Sequence, residues 1–188
     1  SIGNFYSNQI EEDLKTPPVK KVKYRGRPYM LGAIARVYNN QKFLNPQAKI
    51  IFEEFKKDVG EVFSNTFYNL FFQAVEVLHF LEESQKLIKE ILNEKLIAET
   101  KEVKIKKGSG LSAMEAPRGT LFTYLELDSQ GRVLNCNIVT PTAQFLANLE
   151  EDLKILLPEL LKLSEKERTR KIRSLIRIYD PCISCATH

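Results

Sequence analysis

The chain contains no hydrophobic run long enough to cross a membrane and shows no pattern typical of a secretory signal. A membrane-spanning helix needs about 18 or more consecutive apolar residues, and the 188 residues contain no such run. The N-terminus lacks a charged stretch followed by an apolar one. We therefore expect no membrane span. A starting Met is also absent, so we expect a trimmed chain or a fragment.

The chain has few cysteines and a small net charge. Three cysteines, two of them clustered near the C-terminus, do not make the disulfide framework of a small secreted protein. They fit a reducing cytoplasm with a metal or redox site better. The net charge is +4 with both signs spread along the chain, which predicts no nucleic-acid binding. The basic stretch at residues 20–27 is interpreted as a solvated loop.

Length and composition predict one globular domain with a sizeable core. The apolar content of 43% and the charged content of 28% are ordinary. Neither internal repeats nor a low-complexity linker interrupts the chain. We predict a single unit, 1–188, with a polar leading segment at 1–18, a helical region at 28–98, a small sheet at 101–139, and helices with a metal-binding tail at 140–188.

Helical periodicity dominates the first half of the chain. Apolar residues at helical spacing predict helices over 28–40, 46–58 and 65–95. The third helix carries a broad apolar stripe, which needs partner helices to cover it. His79 lies on this helix, and we interpret it as a satisfied residue of a core or an interface.

The period changes after residue 100. Alternation predicts a strand over 101–107 that the glycines at 108–110 end, and two more strands over 120–127 and 132–139 that a hairpin joins. Cys136, on the last strand, is interpreted as a core residue. The predicted fold class is therefore α+β and helix-rich, with a bundle of long helices and a small antiparallel sheet.

Two helices are predicted for the last part of the chain. The first covers 142–157, is opened by Pro141 and is interrupted by Pro158. Thr142 is interpreted as its cap, although its hydroxyl could instead donate to an anion. The second helix covers 165–178 and has a basic face, which we expect to be solvated or to meet a partner. Its predicted buried face is formed by Ile172, Leu175, Ile176 and Tyr179.

The C-terminal tail carries the strongest chemical signal. Cys182 and Cys185 are three residues apart, and His188 follows after three more. Two thiolates at this spacing can share one metal ion. A lone CxxC is a weak signal that also fits half of a zinc site, a redox pair or no site at all, although a redox pair normally sits at a helix start after a strand. Pro181 fixes the backbone before the first thiol, and Asp180 adds a carboxylate beside it.

A second candidate site is the segment at 115–119. Arg118 stands between Pro117 and Gly119, so its guanidinium is a permanently charged fork on a constrained backbone. The alternative is an ordinary turn that carries a surface arginine.

Four segments together resemble the C-terminal half of the large subunit of nickel–iron hydrogenases. They are EAPRG at 115–119, NIVTPT at 137–142, the terminal DPCISCATH at 180–188, and YRGRPYMLGAIARVYNN at 24–40. The resemblance covers roughly residues 20–188 and points to the soluble cytoplasmic branch that works with pyridine nucleotides or sulfur compounds. EAPRG together with a terminal DPCxxCxxH is far more specific than either motif alone.

The resemblance implies roles for the residues of these motifs around a nickel–iron centre whose iron carries cyanide and carbon monoxide. Cys182 would be a terminal nickel ligand, and Cys185 would bridge nickel and iron, as suits soft thiolates. Arg118 would hang over the open side of the metals, and Asp180 would hold it there. The resemblance also implies a pocket around the diatomic ligands, formed by Ala116, Pro117, Pro141 and Thr142. A magnesium or iron ion would be bound by His188 and the Ile138 carbonyl.

The implied activity is the reversible oxidation of dihydrogen. The implied partners are the N-terminal half of the large subunit, an iron–sulfur small subunit, NAD(P)-linked electron-transfer subunits, a maturation protease and nickel-insertion proteins. Two further cysteines of the family's N-terminal CxxC motif are absent here, so we expect this chain alone to be incomplete and inactive. Phe145 also departs from the family, which usually has asparagine at this point.

Two other interpretations remain at this stage. Cys182, Cys185 and His188 could form a zinc site in a non-catalytic module. The chain could also be an inactive relative of the complex-I-type quinone oxidoreductase subunits, which share the fold but lack the metal cysteines. The presence of both thiols argues against the second interpretation.

Overall fold

The computed structural model describes residues 10–13, 21–60, 65–94 and 104–186. The chain divides into two compact units, Ala33–Ile105 and a second that joins Ser1–Gly32 to Lys106–His188. Most of the predicted leading segment lies outside the described residues, and so does His188. The assignment of the whole chain to one domain stays a prediction.

The first unit is helical, as its periodicity predicts. Its helices are α1 (Ala33–Asn40), α2 (Pro46–Val59) and α3 (Asn69–Asn93), with short 3-10 turns at Gln41–Phe43 and Thr66–Tyr68. The first helix begins five residues later than predicted because Gly32 has a φ of 86°, which is outside the helical region. The Asn69 side chain accepts a hydrogen bond from the Ile34 N–H at 3.2 Å and so ties the start of α1 to α3.

Aromatic packing holds the three helices together. Phe52 and Phe72 are fully buried, and the Phe55 ring stacks on Phe71 with centroids 4.0 Å apart. The Nδ1 atom of His79 accepts a hydrogen bond from the Asn45 N–H at 3.1 Å, which confirms the interpretation of this histidine as satisfied. The predicted apolar stripe of α3 is only partly covered: Val75 is buried, whereas Leu70 and Val77 in the first half are exposed. The second half is exposed at Leu87, Ile88, Ile91 and Leu92.

The second unit is built on a three-stranded antiparallel sheet in the order β3 (Gly108–Ala116), β4 (Gly119–Leu127) and β5 (Val133–Val139). A two-stranded sheet pairs β1 (Ile10–Asp13) with β2 (Lys21–Tyr24). The two predicted strands at 120–127 and 132–139 and their hairpin are confirmed.

The sequence misplaced three features of this unit. The strand predicted at 101–107 is wrong for its described part, since pairing begins at Gly108, where a break was expected; bonds to β4 outweigh the local alternation. The stretch at 20–27 is not a solvated loop throughout, because Val22 in β2 is fully buried. Cys136 is exposed rather than in the core, because it lies in an exposed stretch of β5, an outer strand of the sheet.

Three helices complete this unit: α4 (Pro141–Leu160), α5 (Glu165–Tyr179) and the single turn α6 (Ile183–Ala186). Pro158 does not interrupt α4 as predicted: the helix loses one N–H there but continues to Leu160, and the Leu161 N–H still bonds to the Leu157 carbonyl at 3.0 Å. A capping box starts α5 at Ser164. Ile176 is 37% exposed and Ile178 only 6%, which corrects the predicted buried face.

Two clusters of buried side chains form the core of the second unit. One consists of Leu31, Phe145, Leu149, Leu175 and Tyr179, and the other of Val22, Phe122, Val139 and Ala143. The predicted fold class is confirmed: the chain is α+β and helix-rich, with a small antiparallel sheet. In the described ranges no helix is long and apolar enough to cross a membrane.

Gly119 packs against Leu31 so closely that no side chain fits. It has a φ of 136°, and a Cβ atom there would lie 2.2 Å from Leu31 Cδ1. We expect Gly119→Ala to lower the free energy of unfolding in urea by about 1–3 kcal/mol. Gly110→Ala is the matched control, since nothing lies within 4 Å of a Cβ at that position. Equal stability of the two variants would contradict the packing described here.

Candidate metal centre

Arg118 lies in a tight hairpin turn between β3 and β4. Ala116 pairs with Gly119, so Pro117 and Arg118 are the two turn residues. Gly32 also packs closely against the backbone of Arg118: a Cβ atom added to Gly32 would lie 3.0 Å from the Arg118 carbonyl oxygen. Proline, the strand pair and this close approach together fix the point from which the guanidinium extends.

The guanidinium of Arg118 binds Asp180 twice. Its Nε donates to the Asp180 carbonyl oxygen at 2.5 Å, and its Nη2 lies 3.0 Å from the Asp180 carboxylate. Asp180 has left-handed backbone angles, φ 49° and ψ 54°, at the end of α5. This conformation costs a non-glycine residue about 1 kcal/mol, and it turns the chain back towards the hairpin. The predicted neighbourhood of these two residues is observed.

Two threonines at the start of α4 hold the backbone of the tail. Thr140 Oγ1 donates to the Cys185 carbonyl oxygen at 2.7 Å, and Thr142 Oγ1 accepts from the Cys182 N–H at 3.3 Å. The predicted helix cap at Thr142 is wrong, because Thr140 has the extended backbone of a cap and accepts from the Ala143 N–H. Thr142 follows inside the first turn, so its side chain is available to the tail.

Gln144 is a second residue of this junction that the sequence did not single out. It is 2% exposed, and its amide donates to the carbonyls of Thr120 at 2.6 Å and Thr140 at 3.1 Å. Its oxygen accepts from the Tyr29 hydroxyl at 2.8 Å, and burial raises the pKa of Tyr29 so that this donor stays protonated. Nothing in the sequence pattern indicated this hydrogen-bond network, because Gln144 is simply a polar residue one turn after the proline that begins α4.

A hydrogen bond between the two thiols of the tail decides which of them ionises first. The Cys185 thiol donates to the Cys182 sulfur, and this hydrogen bond is the largest of the effects that lower the pKa of Cys182 to about 7. The Ser184 hydroxyl, 3.3 Å from that sulfur, and the Cys185 N–H add to the effect. The same bond raises the pKa of Cys185. Cys182 is therefore the sulfur that carries negative charge first.

The other predicted site residues are placed as follows. Ala116 and Pro117 adjoin Arg118 at the end of β3, Pro141 and Thr142 are buried at the start of α4, and Ile138 lies on β5 opposite Thr123. His188 lies outside the described residues. Within the described ranges, no group of three or more His, Cys, Asp or Glu side chains is placed to hold a metal ion. The two adjacent thiols fit a soft metal, but they form only part of a donor set.

Comparison with known proteins identifies the family. The model of the nickel-dependent hydrogenases matches residues 3–188, and the chain belongs to this family. It is 40% identical over 170 residues to the alpha subunit of sulfhydrogenase 1 from Pyrococcus furiosus, covering 90% of this chain and 39% of that protein. It is 27% identical to subunit beta of the NAD-reducing hydrogenase HoxS from Cupriavidus necator, covering 98% and 39%. The chain thus spans about two fifths of the length of these relatives.

Solved structures show the same fold. An NAD⁺-reducing [NiFe]-hydrogenase in the H₂-reduced state superimposes with a TM-score of 0.78 at 24% identity, covering 98% of this chain and 43% of that one. A [NiFeSe]-hydrogenase from Dm. baculatum gives a TM-score of 0.71 at 22% identity, covering 98% and 40%. Both the predicted family and the predicted fold are thereby confirmed.

The lowered pKa of Cys182 predicts a reactive thiol in the metal-free chain. We expect about half of this thiol to be ionised near pH 7, so alkylation by iodoacetamide should rise through that pH. Cys185→Ala removes the donor and should shift the alkylation profile of Cys182 to higher pH. Peptide mass spectrometry measures the profile, and Cys136→Ala is the control that should leave it unchanged. If the pH dependence of Cys182 alkylation were the same in Cys185→Ala as in the unmodified chain, the hydrogen bond between the two thiols would be refuted.

Proposed function

We propose that this chain is the C-terminal, metal-binding part of a hydrogenase catalytic subunit, which reversibly oxidises dihydrogen to protons and electrons. One arrangement carries the proposal. Cys182 and Cys185 are hydrogen-bonded to each other, and near them two contacts to Asp180 hold the guanidinium of Arg118. Membership of the nickel-dependent hydrogenases supports it. The chemistry that a nickel–iron centre supplies when bound is the splitting of dihydrogen.

Cys182 and Cys185 are the proposed ligands of that centre. Their sulfurs are adjacent, and the backbones of both are bonded to buried threonines, so binding needs little ordering of the tail. Soft thiolates suit nickel and low-valent iron. We propose that two further thiolates come from the part of the catalytic subunit that matches the remaining length of the relatives, and that this chain alone is inactive.

Arg118 is proposed to face the reacting side of the metals. Its positive charge favours the ionised form of both thiols. Its electrostatic effect therefore reaches the region beside the two sulfurs, where the metals are proposed to bind. Asp180 binds the guanidinium through the carbonyl and the carboxylate, which keeps the planar group from swinging into solvent. A charge fixed in this way stabilises negative charge that develops beside it without first having to reorient.

The remaining roles rest on position. Thr142 uses a hydroxyl lone pair for the Cys182 N–H and keeps its own proton, so it can donate to a cyanide on iron. Ala116, Pro117 and Pro141 are proposed to surround the cyanide and carbon monoxide with small apolar side chains, and the two prolines offer no backbone N–H there. A magnesium or iron ion is assigned to His188 and to the Ile138 carbonyl.

The partners are proposed from the family. An iron–sulfur small subunit would take the electrons, and NAD(P)-linked electron-transfer subunits would pass them on, since one relative is named an NAD-reducing hydrogenase. A maturation protease and nickel-insertion proteins would assemble the centre. The cytoplasmic location remains a prediction.

Loss of either tail thiol should remove nickel. In the native complex purified without oxygen, we expect Cys182→Ser and Cys185→Ser each to lower bound nickel by about tenfold or more. Loss of a group that only supports a metal ligand already lowers metal affinity by about that factor, and loss of the ligand itself should lower it at least as much. Elemental analysis and the infrared bands of iron-bound cyanide and carbon monoxide measure this. Cys136→Ser is the matched control and should keep both. A wild-type complex that holds zinc and no nickel would instead establish a zinc module.

Replacing the guanidinium should affect the reaction more than the metal content. We expect Arg118→Lys in the same complex to slow dihydrogen oxidation about 100-fold or more while nickel content stays near normal, because a lysine cannot make both contacts to Asp180. Arg132→Lys is the control, as Arg132 also pairs with a carboxylate, Asp128, at 2.7 Å but lies on the far hairpin. Comparable rates for the two variants would remove Arg118 from the proposed site.

A further inference from the structure

Four cations form a straight stripe along α5. Intervals of four, three and four residues place them on one face of the helix, over about 16 Å at the α-helical rise. All four are exposed, and they line an open groove of about 920 Å³. We call this set the basic stripe; its members are Lys166, Arg170, Arg173 and Arg177.

The basic stripe lies on the face of α5 that points away from the core. Leu175, Ile178 and Tyr179 are the buried residues of the helix, and helical geometry places them opposite the stripe. No stripe side chain forms an ion pair with a carboxylate of the described residues. Lys171, on the flank of the same helix, does have such a carboxylate in Glu159, at 3.7 Å.

This lack of compensation distinguishes the stripe from other charged surface of the molecule. Like charges at spacings of three and four residues oppose helix formation, so the sequence bears a cost that one carboxylate within the stripe would relieve. Three of the four cations are arginines, whose planar forks each bind a carboxylate through two parallel hydrogen bonds. The groove therefore offers a row of carboxylate sites on a rigid helix.

Protein carboxylates fit this surface better than a membrane or a nucleic acid does. An interfacial helix needs apolar side chains beside its cations, whereas the residues interspersed here are Thr169 and Ser174. Glu165 ends the groove at its N-terminal side and confines the cationic stretch to about three turns. The net charge of +4 adds no wider positive surface of the kind that nucleic-acid binding uses.

We infer that the basic stripe is a docking surface for an acidic segment of a partner protein. The inference does not depend on the proposed metal centre, because none of its residues contributes a side chain to that site. Binding is electrostatic and weakens as salt rises, since the cations are solvent-exposed.

Charge reversal within the stripe tests the inference. The probe is a short, fluorescently labelled all-glutamate peptide, and its anisotropy with the purified chain is followed at low and at physiological salt. We expect Arg170→Glu/Arg173→Glu to weaken binding about tenfold or more. The helix should persist, because each new carboxylate faces Lys166 or Arg177 at a spacing of four residues; circular dichroism checks this. Arg170→Gln/Arg173→Gln should give an intermediate loss.

The matched control makes the same change of net charge elsewhere. Lys104→Glu/Lys106→Glu reverses two exposed cations outside the stripe and should alter the affinity less than about twofold. Equal loss in the two double variants would overturn the inference, since only overall charge would then matter. Tighter binding of duplex DNA or of phosphatidylserine vesicles than of the peptide, with the same sensitivity to Arg170→Glu/Arg173→Glu, would overturn the assignment to a protein partner.

Discussion

The two contacts between Arg118 and Asp180 join a β-hairpin to the end of a helix 62 residues further along the chain. They stabilise Asp180 in a left-handed conformation, and that conformation directs the tail back towards the sheet. An exposed ion pair by itself contributes little to stability. This one matters for geometry, because the same guanidinium that anchors the turn lies near enough to the two thiols to favour their ionisation.

The tail has little apolar packing of its own, as the 80% exposure of Ile183 shows. Polar contacts replace it: Thr140 and Thr142 bind the backbone on both sides of Ser184. These threonines are themselves fixed, since Gln144 ties the start of α4 to β4 through buried hydrogen bonds. A short segment with little apolar packing thus takes its shape from a strand–helix junction, which is how binding sites are commonly kept in position.

Phe145, where the resemblance to the family predicts asparagine, is a core residue of the second unit. The residue is 1% exposed, and its ring lies 5.4 Å from that of Tyr179 in the core between α4 and α5. It therefore strengthens the packing that places the end of α5, and with it Asp180, instead of offering a polar group to the site. The adjacent Gln144 supplies the polar contacts of the junction.

The sequence by itself determined the family, the α+β class, most helices, and the position of two neighbouring thiols in the tail, because these depend on local periodicity and on motifs that can be read residue by residue. It did not determine that Thr140 caps α4, that Gly108 begins a strand, or that Cys136 is exposed. The strand at Gly108 and the exposure of Cys136 depend on how the strands pair in the sheet, and such contacts override local propensity. The cap at Thr140 is a local contact to Ala143, but two neighbouring threonines offered the same signal. The hydrogen bond between Cys182 and Cys185 depends on the conformation of the tail, which the contacts to Thr140 and Thr142 hold.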